Sequence, residues 1–297
     1  MIVSCGEALV DLIPHAVPGG GPMNAAIAAA RLEVPSAFVG CVSTDQYGVL
    51  IWDRLLANGV NVEACQRAGA PTARAIVEHV PELRFRFEGT NTADTLLSDV
   101  DLLETLGVGP HILHGGTLGL FRGQTAETIA TLVEAHDGIV SLDPNVRPQI
   151  IDDPARWHHF HERWLAHTNI YKGSDEDFSW IWPERSAESC AEQLLESGIA
   201  VVLITKGAEG LTILTPEDAV TAPAPAIDVV DTVGAGDTIA ATVLASIWDL
   251  GFGRSVAELG EIETLGWQRI AQRAVTAAAI TCSRAGADPP FRSEVAW

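Results

Sequence analysis

The residues whose types and spacing most directly suggest chemistry are Asp231-Thr232-Val233-Gly234-Ala235-Gly236-Asp237-Thr238. They follow an extended, proline-punctuated segment and open an apolar run, 239–248, that reads as a helix. Two glycines at a helix opening let backbone approach a ligand closely, and the exposed N–H groups with the helix dipole favour an anion there. A carboxylate in that turn is readily kept ionised by the same field. Such a pairing suits phosphoryl transfer, in which N–H groups hold phosphate charge while the carboxylate takes a hydroxyl proton. The competing reading is a plain helix opening capped by Asp231 or Asp237, and these residues alone do not separate the two.

The elements that would position this stretch alternate between strand and helix. Strands are predicted near 111–114, 138–143, 169–172 and 200–206, each followed by helical sequence, which implies a mostly parallel sheet with helices on both faces. Ligands in such sheets lie beyond the carboxyl ends of the strands. There the sequence carries His114-Gly115-Gly116-Thr117, Asp143-Pro144-Asn145-Val146-Arg147, Lys172-Gly173-Ser174-Asp175-Glu176-Asp177 and Thr205-Lys206-Gly207-Ala208-Glu209-Gly210. The only two lysines, Lys172 and Lys206, fall in these segments. Residues 211–214 and 219–221 suit an antiparallel edge.

Toward the amino terminus, residues 2–13 read as one buried strand carrying Glu7 and Asp11; such charges either need a partner or a ligand or, for an aspartate at the strand end, stand in water, and sequence alone does not separate the two. A glycine loop, Gly19-Gly20-Gly21, then meets Pro22 as a first helical residue, which puts Asn24 in the first turn. Residues 36–42 form another strand, and 47–58 an amphipathic helix closed by Gly59. Two antiparallel strands over 72–88, turning near Pro81, suggest a small flap in which Arg84 and Arg86 alternate with Phe85 and Phe87. The last helix, 267–282, is rich in small residues, which suits a flat ring lying against it or close helix packing.

Composition excludes several function classes. The 297-residue chain is 47% hydrophobic and 19% charged, so it is expected to be ordered, as one domain spanning 1–297 with the 72–88 hairpin within it. A formal charge of −21 disfavours nucleic acid and anionic membrane as partners. Five scattered cysteines without a Cys-x-x-Cys pair fit free thiols. With no apolar run long enough to span a membrane and no secretory leader, a cytoplasmic location is expected. The dinucleotide fingerprint, P-loop and zinc-protease motifs are missing, and His158, His159 and His161 have the wrong context for a metal.

Taken together, Val230 to Thr238 resembles the carboxy-terminal signature of the ribokinase-like, or PfkB, carbohydrate kinases. The glycine loop through Asn24 matches that family's sugar loop, and residues 7–14 and 141–148 look most like its fructokinase branch. The resemblance covers nearly the whole chain and implies a ribokinase-like α/β fold with a β lid. It further implies ATP-dependent phosphorylation of a sugar, with Mg²⁺ and possible use of K⁺. In that reading Asp237 is the base, and Gly234, Ala235 and Gly236 form the anion hole. Asp11, Gly20 and Asn24 hold sugar hydroxyls, with Arg86 a further substrate-binding candidate. Lys172, Ser174, Asp177, Thr205, Gly207, Gly210 and Ala278 serve the nucleotide. Asp231 and Val233 match positions that bind a monovalent cation in relatives.

Two departures from the family pattern stand out. Asp177 replaces a glutamate, one methylene longer, in the pair that organises magnesium. Only residues 12–18 separate Asp11 from Gly19, where relatives often place lid strands, so a reduced lid of the 72–88 hairpin alone is expected, which weakens any inference to a lid-mediated homodimer. Fructose is the preferred substrate; ribose, 2-keto-3-deoxygluconate and a nucleoside stay open, with Gly21 in place of the ribokinase lysine arguing against ribose. A non-catalytic sugar- or nucleotide-binding relative is the alternative of another class.

Overall fold

A computed structural model of the protein describes residues 1–13, 15–80, 82–99, 101, 105–106 and 112–297. Its strands are β1 (Ile2–Cys5), β2 (Leu9–Ile13), β3 (His15–Gly19), β4 (Ser36–Val39), β5 (Cys41–Ser43), β6 (Gln66–Ala68), β7 (Arg74–Val80), β8 (Glu82–Glu88), β9 (Ile112–Gly116), β10 (Ile139–Asp143), β11 (Ile170–Ser174), β12 (Val201–Thr205), β13 (Leu211–Leu214) and β14 (Ala219–Ala222). Its α-helices are α1 (Gly21–Arg31), α2 (Gln46–Ala57), α3 (Gly123–Glu134), α4 (Pro154–Leu165), α5 (Asp175–Ile181), α6 (Ala187–Glu196), α7 (Ala235–Asp249), α8 (Val256–Leu259) and α9 (Thr264–Cys282). Among these helices none is long and apolar enough to cross a membrane.

An eight-stranded sheet in the order β14-β13-β12-β11-β10-β9-β1-β4 forms the centre. Its strands run parallel from β4 to β12, and β13 and β14 close one edge antiparallel, as the sequence pattern predicts. Both faces are covered because successive strand residues point to opposite sides. Val3, Leu113, Val140 and Tyr171 meet Ile129 of α3, Trp157 and Trp164 of α4, and Ala191 of α6. Their neighbours Ile2, Ile112, Ile139 and Ile170 meet Ala28 of α1, Val243 of α7 and Ile270 of α9.

The expected single strands 2–13 and 36–42 each break in two. Gly6, at φ +150°, lies where a Cβ would approach Pro22 Cγ to 2.5 Å, and the chain passes there from β1 in the large sheet to β2 in a second one. Gly40 is squeezed against the Gly6 carbonyl and the Phe38 ring, and the chain leaves β4 there for the small β5–β6 pair. Periodicity could not find either break, because the apolar run continues through it while its burying partner changes.

The second sheet is larger than the expected 72–88 hairpin. It has four strands in the order β3-β2-β7-β8. The short 12–18 segment turns tightly enough to lay β3 antiparallel on β2, Asp11 opposite Val17, while β7 and β8 pair as the predicted hairpin. The Pro81 turn and position 111 lie outside the described residues. Underneath this sheet Val10, Met23, Ile27, Phe38, Ile51 and Leu55 form a separate apolar cluster with α1 and α2.

Arg122, just before α3, ties the two sheets together. Its guanidinium reaches buried Asp94 at 2.5 Å, bonds the Gly89 carbonyl after β8, and lies 4.8 Å from the centroid of the Phe87 ring. Removing one partner of a buried pair strands the other charge. Arg122→Ala is therefore expected to lower unfolding free energy by about 3–5 kcal/mol in a denaturant titration, and Arg122→Ala with Asp94→Asn should recover part of that loss.

Candidate active site

Asp237 stands on the first turn of α7, after Gly234 in the left-handed region at φ +78°. A Cβ on Gly234 would come 2.6 Å from Ala287 Cβ, so both backbone shape and crowding require glycine there. Among the described residues the N–H groups of Gly236 and Asp237 find no hydrogen-bond acceptor. They are the orphan donors of a helix start, aimed where an anion is favoured.

The Asp237 carboxylate is buried and accepts from Asn24 Nδ2 at 2.8 Å. Asn24 comes from the first turn of α1, more than two hundred residues earlier in the chain, which follows Gly20 at φ +115° with proline in its first turn. The amide oxygen of Asn24 is buried and has no partner. Position 21 sits between these groups. A Cβ there would come 2.6 Å from Thr117 Oγ1, 3.3 Å from Asp237 Oδ1 and 3.5 Å from Asn145 Nδ2, so the glycine keeps the cleft open where ribokinases carry lysine. Asn145 donates to Thr117 Oγ1 at 3.2 Å. Both Thr117 and Asn145 hold positive φ, at +48° and +39°, a strain that clusters at functional sites.

Asp11, on β2, carries the second carboxylate. Its side chain lies against Gly19, where a Cβ would come 2.7 Å from Oδ2. Burial, then the charges of Asp231 and Asp237, push its carboxyl up to about 6. Asp237 is likewise pushed up to about 6, chiefly by burial, with the Asn24 hydrogen bond opposing. Glu7 is deeper still, with its carboxyl pushed up to about 8 by burial against the N–H bonds it accepts.

Lys172 ends 3.2 Å from where a Gly236 Cβ would lie and pairs with Asp143 at 2.7 Å. Burial disfavours its charge, but Asp143, Asp177 and Asp237 outweigh that and raise its pKa. A protonated ammonium beside two unpaired N–H groups is a cradle of the right sign for a phosphoryl group. Asp143 Oδ1 is buried with no partner, so this pair retains an unused acceptor facing a polar site.

Ser174 and Asp177 are brought together as a capping box at the start of α5. Asp177 Oδ2 accepts from Ser174 N and Oγ at 2.8 and 2.7 Å, and Oδ1 accepts from Val146 N at 2.7 Å. The shorter acid therefore ties the 144–147 segment to β11. Among the described residues no cluster of three His, Cys, Asp or Glu side chains could cage a metal ion. Thr205, Gly207 and Gly210 follow at the end of the adjacent strand β12, with the two glycines at φ +50° and +107°. A side chain at Gly207 would meet open space, whereas one at Gly210 would strike the Ala222 carbonyl, so the first leaves room for a ligand and the second shapes the turn.

Ala278 faces inward on α9, whose last carbonyl, on Cys282, accepts from the N–H groups of Val230 and Asp231. Asp231 bonds Val233 N at 3.0 Å and Gly286 N at 2.8 Å, and so clasps the loops on either side of Gly234. Two sequence candidates fall elsewhere. Arg86 pairs with Glu88 at 2.7 Å, and the register puts it level with Ile76 and Leu12, on the opposite sheet face from Asp11. His114 bonds Ser141 inside the large sheet, where burial lowers it to about 4. A cleft of 620 Å³ lined by Thr215, Asp218, Glu261, Glu263 and Trp267 opens at the other end of the large sheet, away from all of these groups.

Sequence reasoning named Thr117 and Asn145 only among the polar strand-end residues, and Gly21 only in the glycine loop and in the argument against ribose. Their place after strand ends was the available signal, but positive φ on Thr117 is not readable from residue type.

With this geometry in hand, comparison with known proteins is decisive. The sequence model of the pfkB family carbohydrate kinases matches residues 14–294. The chain belongs to the pfkB family of carbohydrate kinases. It is similar to the fructokinase of Rhizobium leguminosarum bv. trifolii, 36% identical over 276 residues, covering 88% of this chain and 84% of that protein. The fructokinase of Escherichia coli is 30% identical over 291 residues, 92% of each chain. The structure of fructokinase with bound ATP from Xylella fastidiosa superposes with a TM-score of 0.85 at 25% identity, covering 99% of this chain and 96% of that one. Another, from Vibrio cholerae O395 with fructose, ADP and potassium ion bound, gives 0.82 at 24% identity over 96% and 93%. Like these enzymes the protein is an ATP-dependent sugar kinase with the ribokinase-like fold.

Folded carboxyls at about 6 against an ordinary aspartate value of 3.8 mean that the folded protein binds the extra protons as pH falls between those values. Stability from these groups is present below about 4 and lost as pH rises through about 6. Asp237→Asn is therefore expected to raise the melting temperature near neutral pH, with the gain fading in thermal scans toward about pH 4.

Proposed function

We propose that this kinase transfers the γ-phosphoryl group of ATP to a hydroxyl of fructose, with Asp237 as general base. The observation that carries the proposal is the Asp237 carboxylate, buried and held by Asn24 at 2.8 Å, at the opening of α7 beside two unpaired N–H groups. The fructokinase relatives support the choice of sugar.

In this reading the sugar lies between the four-stranded sheet, which acts as its lid, and the start of α7. Asp11 and the free amide oxygen of Asn24 accept its hydroxyls, and Gly20 lets backbone approach it. Asp237 removes the proton of the attacking hydroxyl, whose oxygen bonds to the γ-phosphorus as the bond to ADP breaks. The N–H groups of Gly236 and Asp237 meet the charge that develops on the transferred group, while that of Ala235 is held by the Thr232 carbonyl. Lys172 adds a positive charge at the same place. Thr205 and Gly207 line the nucleotide phosphates, Gly210 shapes the turn that holds them, and the end of α9 near Ala278 flanks the base. Magnesium bound to ATP would neutralise phosphate charge. Among the described residues no three acidic side chains cluster, so it would be held largely by those phosphates and water, and Asp177 would act by fixing Ser174 and Val146. The turn from Asp231 to Val233 is assigned to a monovalent cation.

The test is ADP release across a panel of fructose, ribose, 2-keto-3-deoxygluconate and nucleosides, with magnesium and with or without potassium. Fructose is expected to give the highest kcat/KM, and potassium to raise it. Asp237→Ala should lower kcat by about 10²–10⁴-fold while calorimetry still detects fructose binding. Near-normal turnover in that variant would falsify the base assignment.

A further inference from the structure

Glu7 is a buried carboxylate to which neither the family resemblance nor the reaction gives a task. It lies in the short Gly6-Glu7-Ala8 crossing from β1 in the large sheet to β2 in the four-stranded one. It is 1% exposed, and among the described residues no cationic side chain pairs with it; the charge that acts on it, Asp94, is of the same sign. What it has instead are backbone donors on two loops. Oε1 accepts from Gly21 N at 3.1 Å, and Oε2 accepts from Gly119 N at 2.8 Å.

Those two loops make the substrate side of the site. Gly21 is the first residue of α1, so its N–H is an orphan donor and its position sets that of Asn24 and hence of the amide on Asp237. Gly119 follows Thr117, whose hydroxyl accepts from Asn145 and faces the bare Cα of Gly21. The fit around Glu7 is close on every side. A Cβ on Gly20 would come 2.7 Å from the Glu7 carbonyl, and one on Gly119 would come 2.6 Å from Gly6 Cα. An unpaired buried charge is a poor source of stability. Its two oxygens do, however, set the distance between the glycine loop and the 117–119 turn, while its backbone belongs to the crossing between the sheets.

We propose that Glu7 is a positioning residue for the sugar: its carboxylate clamps the start of α1 to the 117–119 turn, and so holds Asn24 and Thr117 at the spacing the sugar requires. This rests on the sugar-kinase reading of the same cleft.

The test compares wild type with Glu7→Gln at about pH 9, above the value of about 8 to which burial raises this carboxyl, so that the wild-type residue is ionised. An amide offers one acceptor and turns an NH₂ toward the other N–H. The expected result is a rise in sugar KM of roughly tenfold or more, with ATP KM within about twofold of wild type and no loss in melting temperature. Equal sugar KM in the two proteins overturns the inference. So does a parallel rise of both KM values with a fall in melting temperature, because that pattern marks a residue needed only for folding. If Glu7→Gln does not fold, Glu7→Asp carries the same comparison, since the shorter carboxylate cannot reach both donors; unchanged sugar KM again overturns it. Wild-type protein that turns over no sugar in the panel refutes the kinase reading, and with it the inference; a wild type that turns over sugar with the same KM as its variants refutes the inference alone.

Discussion

The hydrogen bond from Asn24 to Asp237 is the contact on which the rest of this structure depends. It joins the first turns of two helices that stand on the same face of the large sheet and point their amino termini at one cleft. A carboxylate is costly to bury, and here burial outweighs the hydrogen bond and leaves Asp237 a readier proton acceptor than an exposed aspartate. The bond also orients it, with the bare face of Gly21 beside the other oxygen. Tuned basicity and fixed direction are what a general base needs.

Charge is distributed around that bond with economy of cations. Asp143, Asp177 and Asp237 act on one buried ammonium, Lys172, whereas both oxygens of Asp177 and of Asp231 are satisfied by backbone N–H groups or a hydroxyl. N–H donors neutralise less than a full charge each, so the carboxylates stay reactive or structural according to how many they receive. Asp177 and Asp231, with each oxygen occupied, hold loops. Asp143 and Asn24 each keep a buried oxygen without a partner.

The two lysines show how far residue type can carry an argument and where it stops. Both lie at strand ends in sequence, and the same rarity drew notice to both. One is buried in the site against Asp143, and the other is exposed, pairing with Glu188. Position along the strand could not separate them; the neighbour that each strand faces did. Arg86 makes the same point for the second sheet. Its alternation with phenylalanine was rightly read as strand period, but which face would look onto Asp11 depended on the register against β7 and β2.

What the sequence determined on its own was local and periodic. Parallel strands, the helix start at Pro22 and the glycine-bearing opening of the helix that carries 239–248 follow from residue types whose preferences act over a few positions. Tertiary structure alone decided the breaks at Gly6 and Gly40, the pairing of the 15–19 strand into a four-stranded sheet, the bond from Val146 to Asp177, and the placing of Glu7 between two loops. Each of these depends on which distant backbone comes within hydrogen-bond reach, and a contact between residues far apart in the chain leaves no trace in the spacing of either.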